Sequence, residues 1–227
     1  MSGAALAACR VFALLLAVLP SVACAQDSPV DLLFSRPHLS PLPAGAELVY
    51  RLERDPSDQS RLGEPMADDI KLLIRSVAPD GGRDVDIQLF TGARGRTVNG
   101  ITGLSGNPLL VIFLDRAVAD MVRLTGGTAP YFKDRLRAGL REKATSEPAQ
   151  ATFDGKMLDA TRIRVRPFVD DTNVARMLGY EGSEFEFLVA AGAPGVLLEM
   201  HARYSSPLAE APRLDERILL KSWSVRP

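Results

Sequence analysis

Apolar and polar residues alternate strictly in several short stretches of this chain, and the period changes to a helical one only near its middle. In Glu47-Leu-Val-Tyr-Arg-Leu-Glu53, Leu48, Tyr50 and Leu52 fall on one face, with Glu47, Arg51 and Glu53 on the other. Ile70-Lys-Leu-Leu-Ile-Arg-Ser-Val77 places Ile70, Leu72 and Ile74 together, and Pro79-Asp-Gly-Gly82 then turns the chain. Asp84-Val-Asp-Ile-Gln-Leu89 follows with Val85, Ile87 and Leu89 inward. Three consecutive strands with one wet face predict an antiparallel meander. Thr91-Gly-Ala-Arg-Gly95 reads as a flexible hairpin or bulge beyond it.

At Asn107 the period becomes helical. Asn107 suits an N-cap and Pro108 the first helical position; Leu110, Phe113, Leu114, Ala117, Met121 and Leu124 recur at helical spacing. Asp115, Arg116, Asp120 and Arg123 fill the other face, and Gly126 is placed for a left-handed C-terminal cap. Thr128 and Pro130 start a second helix with Phe132, Leu136 and Leu140 as its apolar stripe and Lys133, Arg135, Arg137, Arg141 and Lys143 around it. The pair predicts a helical hairpin, 107–144, inserted between strands.

Strands resume after Pro148. Asp154-Gly155 between Ala149-Gln-Ala-Thr-Phe153 and the run from Lys156 predicts a type I′ hairpin. Thr161-Arg-Ile-Arg-Val-Arg166 sets Arg162, Arg164 and Arg166 on one face. Glu184-Phe-Glu-Phe-Leu-Val189 alternates, Val196 to Tyr204 follows the turn at Ala193-Pro-Gly195, and Arg217 to Val225 closes the chain. The fold expected is α+β: a twisted antiparallel sheet with a two-helix hairpin packed on it.

The N-terminus changes the picture of where such a domain works. Arg10, the apolar run Val11-Phe-Ala-Leu-Leu-Leu-Ala-Val-Leu19, Pro20 and the small residues of Ala23-Cys-Ala25 read as a secretory signal peptide over 1–25. Cleavage before Gln26 removes both cysteines, Cys9 and Cys24, and leaves about 200 residues to fold without a disulfide in an oxidising compartment. The rival reading makes Cys24 a lipidated first residue, although Ser21 stands where a lipoprotein signal has a large aliphatic residue. Residues 26–45 hold Pro29, Pro37, Pro41 and Pro43 and are expected to form an extended arm, with a single domain over 46–227.

Charge and composition mainly exclude. A net charge of −1 provides no general attraction to nucleic acid, and a single Trp223 makes base-stacking platforms scarce. Two histidines, His38 and His201, rule out a three-histidine zinc site. No serine lies in Gly-x-Ser-x-Gly context, and after cleavage no cysteine remains as a nucleophile, so an enzyme is not expected. His201 on a strand reads as structural. Asp68-Asp69 and Asp170-Asp171 lack the alternating spacing of a calcium loop and read as solvated loop residues. Thr125-Gly-Gly-Thr128 lacks the Gly-Lys-Ser/Thr ending of a nucleotide loop and reads as helix capping. No cofactor is implied. Arg162, Arg164 and Arg166 form either an anion-binding face or one matched by Glu184, Glu186 and Glu199; the matching phase favours the second.

The order of signal peptide, meander, helical insertion and further strands resembles the periplasmic half-barrel carriers of the LolA/LolB and LppX type. Asn107-Pro-Leu-Leu-Val-Ile-Phe-Leu-Asp-Arg116, Arg123-Leu-Thr-Gly-Gly127 and Tyr131-Phe-Lys-Asp-Arg135 also resemble uncharacterised secreted proteobacterial proteins. The resemblance implies that the antiparallel sheet is curved into an open half-barrel with the two-helix hairpin packed on it and an apolar cavity between them, and so a non-catalytic carrier of a lipid, acyl chain or apolar peptide. The residues expected to line it are Leu110, Phe113, Leu114, Met121, Phe132, Leu136, Phe185 and Phe187. The alternative is an envelope scaffold whose core is filled by its own side chains and which acts through its surface.

Overall fold

A computed structural model of the chain describes residues 27–226, so the expected signal peptide, its cleavage site and Cys24 lie outside the described residues. Nine antiparallel strands form one curved, open sheet in the order β4-β3-β2-β1-β9-β8-β7-β6-β5. They are β1 (Ala46–Pro56), β2 (Met66–Val77), β3 (Arg83–Leu89), β4 (Arg96–Leu104), β5 (Thr145–Phe153), β6 (Lys156–Val165), β7 (Glu184–Val189), β8 (Leu197–Tyr204) and β9 (Leu214–Val225). A single helical turn, α1 (Gln59–Leu62), joins β1 to β2, and the hairpin α2 (Pro108–Thr125) and α3 (Ala129–Glu142) joins β4 to β5.

The alternation does what it predicts. Leu48, Tyr50 and Leu52 of β1, Ile70, Leu72 and Ile74 of β2, and Phe185, Phe187 and Val189 of β7 are all buried on the face that carries the hairpin. Asp154 and Gly155 both have positive φ, at 50° and 70°, as a type I′ turn requires. Asn107 caps α2, its side-chain oxygen accepting from the Leu109 amide at 3.1 Å, and Gly126 ends it at φ 74°. Across this interface Phe113 meets Phe187 edge-to-face at 5.6 Å, and a run of edge-to-face contacts links Phe132, Phe168, Phe185 and Tyr204.

Two expectations need correction, and one strand was not foreseen. The segment 27–45 is not an extended arm. Asp31–Ser35 forms a π-helical turn, and Leu32, Leu33, Leu39 and Leu42 are buried. The buried Arg83 holds this segment in place, donating to the carbonyls of Leu42 (2.8 Å), Ser40 and Gly81. Second, the alternation does not reveal β4; Thr91–Gly95 is the hairpin connection expected there, and it joins β3 to this further strand. Gly100 and Gly103, both at positive φ, bulge the strand, and their amides donate to Asp86 (2.9 Å) and Asp84 (3.1 Å) on β3. Third, Arg116 and Asp120 do not both face solvent: Asp120 is buried against the sheet, and Arg116 reaches back to it.

Candidate ligand groove and the charges around it

Between the outer flanks of α2 and α3 and the π-helical turn lies a groove of about 360 Å³. Its floor is Leu114 and Val118 of α2 with Leu136 and Leu140 of α3; Val30 and Phe34 form the wall on the N-terminal side. The local reason is the width of the apolar stripe on α2. Leu110, Phe113, Ala117, Met121 and Leu124 face the sheet, and Val111, Leu114 and Val118 continue the stripe past that contact onto the free flank. Val111 is left 57% exposed and Phe34 45% exposed on either side of the opening. Lys133, Arg137 and Arg141 stand along the α3 rim and Asp115 along the α2 rim, where Lys133 bonds Asp115 at 3.0 Å.

Of the eight residues expected to line a cavity, only Leu114 and Leu136 reach this groove. Phe132 borders a second, more polar groove with Thr125, Tyr131 and Arg176. Leu110, Phe113, Met121, Phe185 and Phe187 are buried in the packed layer between sheet and hairpin and line neither groove. The reason is volume: the aromatic rings that were expected to surround a ligand pack on one another instead.

An ionic cluster crosses the same layer. Arg54 on β1 donates to both carboxylate oxygens of Asp120 at 2.8 Å and to Glu216 on β9 at 2.5 Å; Arg116 donates twice to Glu216 at 2.6 Å. Arg54, Asp120 and Glu216 are buried, and Arg54 and Glu216 are directly opposed in the β1–β9 ladder. Burial pushes the Asp120 carboxyl above the ordinary carboxylate range, against the pull of Arg54. Burial alone would lower the Arg54 guanidinium, but its two carboxylate partners hold it above its usual value. Nearby, Asn107 donates to the Tyr50 hydroxyl at 2.8 Å and to the Gly195 carbonyl at 3.2 Å, tying the start of α2 to the sheet. Sequence reasoning missed the cluster, yet a signal was there. Arg54 continues the inward phase of Leu48, Tyr50 and Leu52, and Glu216 that of Ile218 and Leu220.

On the opposite face of the sheet Arg162 and Arg164 of β6, and Arg166 just past its end, each sit on a glutamate. Arg162 lies 3.1 Å from Glu186, Arg164 lies 2.8 Å from Glu186 and 2.9 Å from Glu147, and Arg166 lies 2.7 Å from Glu184. Arg203 and Arg166 hold Glu184 below the ordinary carboxylate range: the Arg203 hydrogen bond is the largest influence and Arg166 adds to it. Glu199, expected to share in matching this row, bonds Arg217 instead at 2.7 Å. His201 is pinned between Asp215 (2.8 Å) and Arg203 (2.9 Å) in the same lattice. Because Arg203 can only donate, His201 Nδ1 accepts and Nε2–H donates to Asp215.

The two acidic pairs are not solvated loop residues throughout. Asp68 is buried and accepts from Thr91 and Arg94, and Asp171 is buried and accepts from Tyr131 at 2.5 Å with Arg135 at 3.0 Å. Among the described residues no group of three or more His, Cys, Asp or Glu could hold a metal ion, and no helix is long and apolar enough to cross a membrane.

No protein-family model and no curated protein matches this chain. Among solved structures it is similar to the lipoprotein LppX of Mycobacterium tuberculosis, at 10% identity and a TM-score of 0.35, over 88% of this chain and 94% of that one. It is also similar to a LolA-superfamily protein of Nitrosomonas europaea, at 8% identity and a TM-score of 0.23, over 89% and 95% of the two chains. Both are likenesses of chain fold alone.

Proposed function

We propose that this is an exported, non-catalytic periplasmic protein that binds a hydrophobic ligand in the groove between its helical hairpin and its N-terminal turn. The observation that carries the reading is the concave apolar surface itself. Leu114, Val118, Leu136 and Leu140 form a floor, and Phe34 and Val111 stay exposed above it. Its volume of about 360 Å³ lies at the lower end for small-molecule sites. Large aliphatic and aromatic side chains held open to water gain by being covered, at about 25 cal/mol per Å² of apolar surface. The filled layer between sheet and hairpin moves the ligand outward from where the sequence suggested. That filled layer also favours the second reading, a scaffold acting through its surface.

One titration separates the two. Protein purified from the periplasm and stripped of apolar small molecules on a hydrophobic resin is titrated with the neutral fluorophore N-phenyl-1-naphthylamine. Saturable binding is expected, and Val111→Glu or Leu114→Glu should abolish it without changing the far-UV circular dichroism. Absence of saturable binding, or binding that both variants retain, overturns the groove as a ligand site and leaves the scaffold.

A further inference from the structure

We infer that the groove takes a single-chain amphiphile with an anionic head, the chain lying on the apolar floor and the head on the α3 rim. The inference rests on the groove being a ligand site and adds the chemical class of the ligand. Lys133, Arg137 and Arg141 follow one another at intervals of four on α3, so their side chains project from one flank. At a rise of 1.5 Å per residue they span about 12 Å along the groove wall.

What distinguishes these cations is how little opposes them. Arg162, Arg164 and Arg166 each rest on a glutamate within 3.1 Å. Arg135, on the same helix, is taken by the buried Asp171 and lies over the Tyr131 ring. Along the rim, Lys133 meets Asp115 at 3.0 Å, and Arg137 meets only Asp134, at 3.6 Å, with both side chains well exposed. Arg141 has no ion pair or hydrogen bond among the described residues. A groove with an apolar floor and an under-matched basic edge complements a molecule that is apolar along its length and anionic at its end. The small volume suits one chain rather than two.

The test uses decanoate, decan-1-ol and decyltrimethylammonium as competitors of N-phenyl-1-naphthylamine on the periplasmic protein. Decanoate is expected to bind about tenfold more tightly than decanol, the sum of two exposed charge contacts, and the cation more weakly than either. The decanoate advantage should shrink as salt rises and vanish in Arg137→Gln/Arg141→Gln, while that variant binds decanol like the parent. Equal affinities of decanoate and decanol, or an advantage that survives the double substitution, would overturn the anionic head and leave the groove standing. Displacement of the fluorophore by none of the three would overturn both readings. Phosphatidylglycerol vesicles form a separate arm: vesicle binding lost in the double variant, without decanoate preference, would refute a free amphiphile in favour of a bilayer surface.

Discussion

Removing Arg54 should cost this protein a large part of its stability, and the geometry says how much and how to reverse it. Arg54→Met deletes two hydrogen bonds to Asp120 at 2.8 Å and one to Glu216 at 2.5 Å. Glu216 keeps Arg116, but Asp120 is left buried without its cation. Stranding one charge of a buried pair costs about 3–5 kcal/mol, against a typical total of about 5–15 kcal/mol. For a domain of this size that corresponds to a fall in Tm of about 6–20 °C. Adding Asp120→Leu removes the stranded carboxylate, leaves the Arg116–Glu216 pair, and should return the protein to within about 1 kcal/mol of wild type. Burial already raises the Asp120 carboxyl, and without Arg54 only the weaker pull of Arg116 opposes that rise. A carboxyl raised on folding stabilises when protonated, and that contribution fades as pH climbs through its folded value. The deficit of Arg54→Met should therefore be smaller at pH 5 than at pH 8. Urea unfolding followed by far-UV circular dichroism at both pH values is the assay. A deficit below about 1 kcal/mol and equal at the two pH values would mean that water reaches the cluster and that the argument fails.

Gly139→Ala, which in a helix interior ordinarily stabilises by up to about 1 kcal/mol, should here destabilise by about 1–3 kcal/mol, because the new Cβ would lie 2.4 Å from Pro167 Cβ; a raised Tm would refute the contact. His38 is fully buried, its Nε2–H bonded to the Leu32 carbonyl at 2.8 Å, and burial lowers its imidazole below the usual value. Below pH of about 6.5 the unfolded imidazole binds protons that the folded one does not, so stability present above that pH is lost as pH falls. His38→Leu should flatten this slope between pH 8 and 5.5, and equal slopes would place the titration elsewhere. Replacing Arg162, Arg164 and Arg166 together with glutamine should leave Tm nearly unchanged, because exposed ion pairs contribute little. Strong wild-type binding to anionic liposomes at low salt, abolished in this variant, would show that the row is an anion site rather than a matched lattice.

Legibility followed the contrast between faces. β1, β2, β3 and β7 could be read because each has one wet and one dry side, so alternation survives in the letters. β4 could not, since two glycines and two register shifts break its period. The arm's prolines suggested extension, but Leu32, Leu33, Leu39 and Leu42 outweighed them by finding the core. The candidate site was half legible. Leu114 and Leu136 were picked from helical spacing, yet that spacing cannot say which apolar residues on a wide stripe meet the sheet and which overhang it. Val30 and Phe34 were invisible for a different reason: they reach the groove from the segment expected to be extended.

The strand order has a consequence for how the chain reaches this state. Every ladder but one joins strands consecutive in sequence: β1 to β4 form one meander and β5 to β9 another. The exception is β1 with β9, which closes across most of the chain; Arg54 and Glu216, opposed there, are 162 residues apart. Each meander joins strands adjacent in sequence, whereas the closing ladder bears the entropy of by far the longest loop. A slip of one residue in that closing ladder would turn every inward side chain of one strand outward. Arg54 and Glu216 penalise that error, because each would lose its buried partner, so the cluster proof-reads the single long-range joint on which the sheet's continuity depends.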